Sequence, residues 1–484
     1  MMSSMKVKMI LPALTEANSP FSRPIKYSLF PPIGLAGLAA YLDNDDEVSI
    51  VDEHVEKLDL NDRPDLVVIQ AYITSAFRAY RIADHYRQRG AFVALGGLHA
   101  TSLPEEAAAH ADAVFLGPGE DTWPEFLRDY RAGAPKRLYQ SVVRTLKGAP
   151  PIRRDLIKRR LYLAPNTIVV SRGCPHSCDF CYKDAFFQKG CSYYTQPVEA
   201  ALAEIERLPG RHLFFLDDHL FANPKFANAL FEGMRGMGRL WQAAATVNAA
   251  LAPNLIKKAA DCGLRSLFIG FETMNASNLS RHKTQNVDCD YDRAVERLHD
   301  HGIMINGSFV FGMDNDSEGA AGRTVEWAIS RGIETATFHI LTPYPGTRLY
   351  ARLEKEGRIL HRNWDLYDTR HCVFRPAGMS KEQLEAGYWQ AYKDFYSWGS
   401  ILHSAAVKER WSERMRHSAY TAGWKKFELF WDILIRAKKV ACMMPALERI
   451  LEGNKRNNIS PSQPVHQGSV NSIHTLRTEW RQAP

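Results

Sequence analysis

The chain has no apolar run of the ~18 residues that a membrane-spanning helix needs. Its start, MMSSMKVKMILPAL, lacks the basic segment and small-residue cleavage site of a signal peptide. Together these absences make the cytoplasm the expected location and a transmembrane segment unexpected. Cysteine is scarce: eight in 484 residues are too few for a disulfide scaffold, and in a reducing compartment clustered cysteines read as metal ligands. Charge of one sign is also missing from the body of the protein. The formal net charge is +7, but from Lys408 onward there are 14 Lys and Arg against 7 Asp and Glu, so 14 − 7 = +7 lies in that last stretch. A nucleic-acid-binding face over the core is therefore not expected, and any acidic partner or membrane surface is confined to the C-terminal stretch. No repeat of fixed period is visible. What is present, 45% hydrophobic and 24% charged residues, is the composition of a globular protein, long enough for about two to four domains.

The first 140 residues alternate short apolar runs with segments of helical period. VKMILPA, EVSIVD, DLVVIQA, AFVALGG and ADAVFLG read as buried strands, with PIGLAGLAAYL, RAYRIADHYRQRG and PEEAAAHA as helices between them. That pattern is an α/β fold with a doubly wound, Rossmann-like parallel sheet. The loops at its strand ends carry Thr74 and Ser75, then Gly96, Gly97, Leu98 and His99, then Gly117, Pro118, Gly119 and Glu120. Glycines there either let backbone approach a ligand or simply make tight turns.

An Arg-, Lys- and Pro-rich linker begins at Gly133 and occupies 141–160. From 161 to 393 the alternation resumes, with IVVSRG, HLFFLDD, QAAATVN, SLFIGFE, INGSFVFG and TATFHIL as strands. Six successive β/α steps predict a partial (β/α)6 barrel like a TIM barrel, with its active site at the C-terminal strand ends. Residues 394–453 read as helical. Within them KKFELFWDILIRAKKVACMMPALERILEG has an apolar stripe flanked by Lys and Arg, read as core packing, with membrane-surface association as the alternative. The polar segment 454–484 is expected to be disordered.

Directly after the first barrel strand comes Cys174-Pro-His-Ser-Cys178-Asp-Phe-Cys181-Tyr182. This spacing sets three thiolates on one loop, close enough to ligate neighbouring corners of one inorganic cluster. An electron-transfer cubane takes four cysteines, so three leave an iron with an open position. The alternative is a zinc site completed by His176 or a remote residue, although the paired knuckles of structural zinc sites are missing. Cys191, ten residues on, is either a second thiol acting on substrate or a partly buried apolar residue; Cys262, Cys289, Cys372 and Cys442 read as small hydrophobes.

The cysteine spacing, Phe180 just before the last cysteine, and the strand–loop–helix context closely resemble the radical S-adenosylmethionine superfamily. PPIGLAGLAAYL, VDEH, GGLHATSLPEEA and GPGED resemble the cobalamin-binding domain that precedes the barrel in one large subfamily. The resemblance implies a 4Fe-4S cluster on Cys174, Cys178 and Cys181, S-adenosylmethionine chelated by the open iron, and bound cobalamin. No Asp-x-His-x-x-Gly motif supplies a histidine to cobalt, and neither His54 nor His99 fits that role. Many members of the subfamily bind cobalamin without one; the alternative is a domain that has kept the fold and lost the cofactor. Cofactor contacts implied by the resemblance are Phe180, Asp217, Asp218, Gly270, Glu272 and Gly312 in the barrel, and Thr74, Ser75, Gly96, Gly97, Gly117 and Gly119 in the first domain. Leu216-Asp217-Asp218 would meet the methionine amino group, Gly270-Phe271-Glu272 the ribose and carboxylate. Gly312 and Tyr344-Pro345-Gly346-Thr347 resemble the turns on the adenine and substrate sides. Asn248 stands where relatives often carry arginine.

The implied reaction is methyl transfer to an unactivated carbon of a small organic substrate, fed by an external flavodoxin- or ferredoxin-type electron donor. Its rivals are a radical cyclisation, oxidation or rearrangement, and a non-catalytic iron-sulfur electron carrier. No catalytic side chain is assigned by the sequence. The aromatic stretch YWQAYKDFYSW from Tyr388 is read as either core or pocket.

Overall fold

The computed structural model describes residues 4–17, 24–287 and 289–453. The tail from 454, expected to be disordered, lies outside the described residues. Among these, no helix is long and apolar enough to cross a membrane.

The first sheet is all parallel: β1 (Lys6–Leu11), β2 (Glu47–Asp52), β3 (Leu66–Gln70), β4 (Phe92–Gly96), β5 (Ala113–Leu116) and β6 (Leu138–Gln140), in the order β2-β1-β3-β4-β5-β6. Alternate residues feed two cores. Leu66 and Val68 pack on one face with Trp123 and Phe126, Val67 and Ile69 on the other with Ala79 and Tyr86. Burial on both faces is why these strands read as unbroken apolar runs. The order reverses between β1 and β3, so a crevice opens there at the carboxyl ends. One correction concerns the linker: its first part, read as connecting chain from Gly133, supplies edge strand β6.

The second sheet is also parallel and open, in the order β7-β10-β11-β12-β13-β14: β7 (Thr167–Ile168), β10 (His212–Phe215), β11 (Leu240–Ala245), β12 (Leu264–Glu272), β13 (Met304–Phe311) and β14 (Thr335–Ile340). Six β/α steps give the partial barrel the sequence predicts. IVVSRG, however, is not one strand. It breaks after Ile168, and β8 (Ser171–Gly173) turns away to pair antiparallel with β9 (Tyr193–Thr195).

The aromatic stretch from Tyr388 is partly core: Tyr388, Phe395 and Tyr396 are buried, whereas Trp389 and Trp398 are exposed. Tyr396 Oη accepts from Ala336 N at 3.1 Å and donates to Ala336 O at 2.8 Å, bonding the helix Lys381–Phe395 and its end to β14. The boundary expected at 393 falls inside this helix. The helix Trp411–Lys425 packs against the barrel strands: Gln242 Nε2 donates to Tyr420 Oη at 3.2 Å and Thr421 Oγ1 to Glu334 O at 2.5 Å, and buried Glu334 also pairs with Lys408, just before this helix, at 2.7 Å. The stripe read as core packing is only half so. Trp431 and Ile435 are buried, whereas Phe427, Leu429, Phe430 and Ile433 are exposed.

Candidate active site

The β8–β9 hairpin clamps the base of the cysteine loop, with Cys174 N donating to Ser192 O at 3.0 Å. The loop's far end is held by the linker: Arg144 donates to the carbonyls of Phe187 at 2.7 Å and Cys191 at 2.9 Å, and also to Gln188. Its middle is held by the helix after β14, where Leu349 N donates to Asp179 O at 3.0 Å and Arg348 to Ser177 O at 2.5 Å. Phe180 packs against the barrel core. Burial raises the pKa of all three thiols, that of Cys181 to about 12. Opposing that, the His176 and Lys183 N–H groups point at Cys174 and Cys181, and Gln285 Nε2 donates to Cys178 Sγ at 3.2 Å. Thiols that burial disfavours as free anions, yet ringed by N–H donors, fit ligation by a cationic cluster. Among the described residues no three His, Cys, Asp or Glu side chains are grouped as ligands of a single metal ion. His176 instead stacks on His219 at 5.5 Å.

Asp217 and Asp218 divide the support of this loop. Asp217 is buried and accepts from Val170 N (3.1 Å), Ser171 N (2.5 Å) and Ser171 Oγ (2.5 Å), fixing the break where the chain leaves the barrel. Its carboxylate is thus turned into the protein. Asp218 accepts from Gly173 N at 3.0 Å and from the Tyr182 hydroxyl.

At the end of β12 a bulge between Gly270 and Glu272 puts Glu272 in the left-handed region, φ 66°. Such strain in a non-glycine residue is held by its surroundings: Lys283 Nζ bonds Glu272 Oε1 and Gly270 O, both at 2.7 Å. A Cβ on Gly270 would stand 2.4 Å from that carboxylate oxygen. Lys283 and Glu272 also lie within electrostatic reach of Cys178, so this strand end faces the cluster loop. Asn248, in place of an arginine, donates to Gln285 O at 2.7 Å and so supports the residue that bonds Cys178. Gly312 has φ 95° and would meet Leu384 at 2.6 Å; its glycine serves packing. Gly346 meets Ala185 of the cluster loop and Ser102 of the first domain, and Thr347 caps the helix that follows.

On the first domain a cavity of about 170 Å3 lies at the strand ends, lined by Gly96, Gly97, Gly117 and Gly119. Arg172 and Phe186, from the cluster hairpin and loop, form its other wall. Gly97 is required by the fold itself: at φ 102° a Cβ would lie 2.8 Å from Ala71 O. Thr74 lines a second cavity of about 260 Å3 together with Tyr72, His99, Tyr182 and Tyr344. Ser75 does not reach either. It is buried, its Oγ accepting from Tyr72 N at 3.1 Å. Both nitrogens of His54 are committed, Nδ1 to Asp52 at 2.7 Å and Nε2 to Leu14 N at 3.1 Å, and His99 Nε2 bonds Glu106 at 3.0 Å. Of the other cysteines, Cys262 and Cys372 are buried as expected, but Cys191 and Cys442 are exposed.

Sequence reading missed Tyr72, Arg172, Lys283, Gln285 and Arg144. Only Tyr182, beside the last cysteine, carried a local signal.

Residues 168–328 match the radical SAM superfamily, 27–127 the B12 binding domain, and 347–439 a domain of unknown function (DUF4070). Bacteriochlorophyllide d C-12(1)-methyltransferase of Chlorobaculum tepidum is 32% identical over 352 residues, covering 70% of this chain and 76% of that protein. Hopanoid C-2 methylase of Rhodopseudomonas palustris is 25% identical, covering 89% and 85%. The fold also matches the solved radical S-adenosylmethionine methyltransferase TsrM of Kitasatospora setae, at TM-score 0.64 and 15% identity over 90% of this chain and all of that one. The cobalamin-dependent radical enzyme OxsB matches at TM-score 0.61 and 14% identity, over 89% and 72%. The chain belongs to the radical S-adenosylmethionine superfamily, in the branch that carries a B12-binding domain. It is an enzyme that uses a 4Fe-4S cluster, S-adenosylmethionine and cobalamin.

Proposed function

We propose that this enzyme methylates an unactivated carbon of a small organic substrate between its two cofactor sites. The observation that carries the reading is the meeting of the first sheet with the cluster hairpin. Arg172 of β8 and Phe186 wall the cavity at Gly96 and Gly119, while Tyr72 from the end of β3 shares the second cavity with Tyr182, the neighbour of Cys181. Relatives named for methylation of bacteriochlorophyllide and hopanoid support methyl transfer. When bound, the cluster and S-adenosylmethionine supply an organic radical for hydrogen abstraction, and cobalamin supplies the methyl group.

The protein's own part is holding and enclosing. Cys174, Cys178 and Cys181 are proposed as the cluster ligands, with Gln285 bonding a ligand sulfur. Asp218, Glu272 and Gly270, near those thiols, are proposed to orient S-adenosylmethionine, and Gly96, Gly117 and Gly119 to admit cobalamin against apolar Leu35, Leu38 and Val68. Thr74, Tyr72, Tyr182 and Tyr344 bound the proposed substrate cavity and exclude water from it. Residues 1–140 form the proposed cobalamin-binding part, 161–393 the radical core, joined by 141–160 and followed by the helical part to 453. An external flavodoxin- or ferredoxin-type protein is the proposed electron donor.

The test is stoichiometry with isotope. Reconstituted enzyme given substrate and methyl-deuterated S-adenosylmethionine should form S-adenosylhomocysteine and 5′-deoxyadenosine in equal amounts, with an intact trideuteromethyl group in the product. Product and 5′-deoxyadenosine without S-adenosylhomocysteine or label would replace methylation by a radical cyclisation or oxidation.

A further inference from the structure

The helix Glu428–Arg436 is apolar on both sides. Its inner side is satisfied: Trp431 and Ile435 pack with Ile25, Leu163 and Val440, and Trp431 Nε1 donates to Gly423 O at 2.7 Å. Among the described residues none covers its outer side, with Leu429 71%, Phe430 43% and Ile433 58% exposed. Those positions, i, i+1 and i+4, lie on one face of a helix. Phe427 extends the patch at one end. There Lys426 lies over the Trp398 ring, 5.4 Å from its centroid, and Trp398 is itself half exposed.

Charge says what covers this face. Exposed cations bracket the helix, Lys425 and Lys426 before it, Arg436 at its end, and Lys438 and Lys439 after it. From 425 to 439 there are five Lys and Arg against Glu428 and Asp432, 5 − 2 = +3. Large apolar side chains between lysines whose stems can reach sideways are the composition of a helix lying in the plane of an anionic bilayer surface. The tail from 454 does not suit the face by charge, having four Lys and Arg against the single acid Glu479. We infer that the outer face of Glu428–Arg436, with its flanking lysines, docks this enzyme on an anionic lipid surface. Ile25 and Leu163 tie the helix to the barrel, where Leu163 and Trp424 also line a cavity of about 340 Å3. The docked face thus lies one helix away from the barrel interior.

The experiment is co-sedimentation of the full-length, cofactor-loaded enzyme with vesicles of phosphatidylcholine alone or containing phosphatidylglycerol. Binding should require phosphatidylglycerol and weaken with salt, since surface charges are screened. Joint substitution Leu429→Ser, Phe430→Ser and Ile433→Ser should lower the partition coefficient at least tenfold. Each of Lys426→Gln, Lys438→Gln and Lys439→Gln should lower it about fivefold, the effect of ~1 kcal/mol per lysine. Because these side chains are exposed, far-ultraviolet circular dichroism and 5′-deoxyadenosine formation without vesicles should be unchanged. Absence of binding to anionic vesicles overturns the inference, as does binding that the triple serine variant retains. Concentration-dependent dimerisation abolished by the same variant would assign the face to a second copy instead.

Discussion

Arg172 Nη2 stands 2.6 Å from Glu120 Oε1, and this pair joins the cluster hairpin to the GPGE loop of the first sheet. Both side chains are partly exposed, so the pair's contribution to stability is of the order of 1 kcal/mol. Its larger effect is geometric, because it sets the wall shared by the cavity at Gly119 and the loop of thiols. A double-mutant cycle of Glu120→Gln and Arg172→Met in urea should give a coupling of about 1 kcal/mol or less. Product formation should fall further than 5′-deoxyadenosine formation in either variant. Equal loss of both would show that the pair does not set the approach of the two sites.

Changing Cys174, Cys178 or Cys181 to Ala removes a thiol that no neighbour replaces. Each variant should lose the cluster absorbance and the cleavage of S-adenosylmethionine. Cys191→Ala should keep its full iron content, since Cys191 is exposed and its Sγ lies 2.9 Å from Tyr193 O. Iron and sulfide analysis after anaerobic reconstitution checks both.

Asp217 and Asp218 should separate cleanly. Asp217→Ala strands three donors at the break after β7, with an expected cost of about 3 kcal/mol, the upper range for a buried donor left without a partner. Asp218→Asn should leave the unfolding midpoint almost unchanged and raise the KM for S-adenosylmethionine. A destabilised Asp218→Asn with unaltered KM would remove Asp218 from the proposed cofactor contacts.

Neither His54 nor His99 is free to serve cobalt through the nitrogen it already commits. His99→Gln should therefore leave the electron paramagnetic resonance spectrum of bound Co(II) cobalamin unchanged. A nitrogen hyperfine splitting that disappears in this variant would make His99 a ligand through Nδ1, which is buried and has no hydrogen-bond partner among the described residues.

His339, near the end of β14, bonds Thr369 Oγ1 at 3.2 Å, and burial lowers its pKa from 6.5 to about 4. The folded protein holds it neutral where the unfolded chain takes a proton. Stability should thus fall as pH drops from 6.5 toward 4 and level off below, where both states are protonated. His339→Gln should flatten that slope, read from urea midpoints across the window. An unchanged slope would show that the ring is protonated or solvated in the folded state.

Much of this was legible in the sequence because it is local. Cys174, Cys178 and Cys181 lie within eight residues, and strands such as Leu66–Gln70 announce themselves as apolar runs because both faces are covered. What was not legible depends on segments far apart in the chain. Tyr72 and Tyr182 share a cavity wall across 110 residues, and Arg144 reaches 47 residues to Cys191. The bonds of Asp217 to the chain break were not visible, because an acid at a strand end looks the same in sequence whether it faces a ligand or staples a chain break. Gly97 and Gly312 likewise serve close backbone and side-chain packing. In Glu428–Arg436 the apolar stripe was visible, but not that one helix carries two apolar faces and buries only one.

The anchoring of the thiol loop bears on the cost of metal ligation. Cys174 N to Ser192 O at one end, and Arg144 on the carbonyls of Phe187 and Cys191 at the other, close this loop with protein bonds alone. Folding thus meets part of the entropic cost of gathering its ends, a cost that metal ligation would otherwise bear alone. The chain's own bonds shape the loop that the cluster enters.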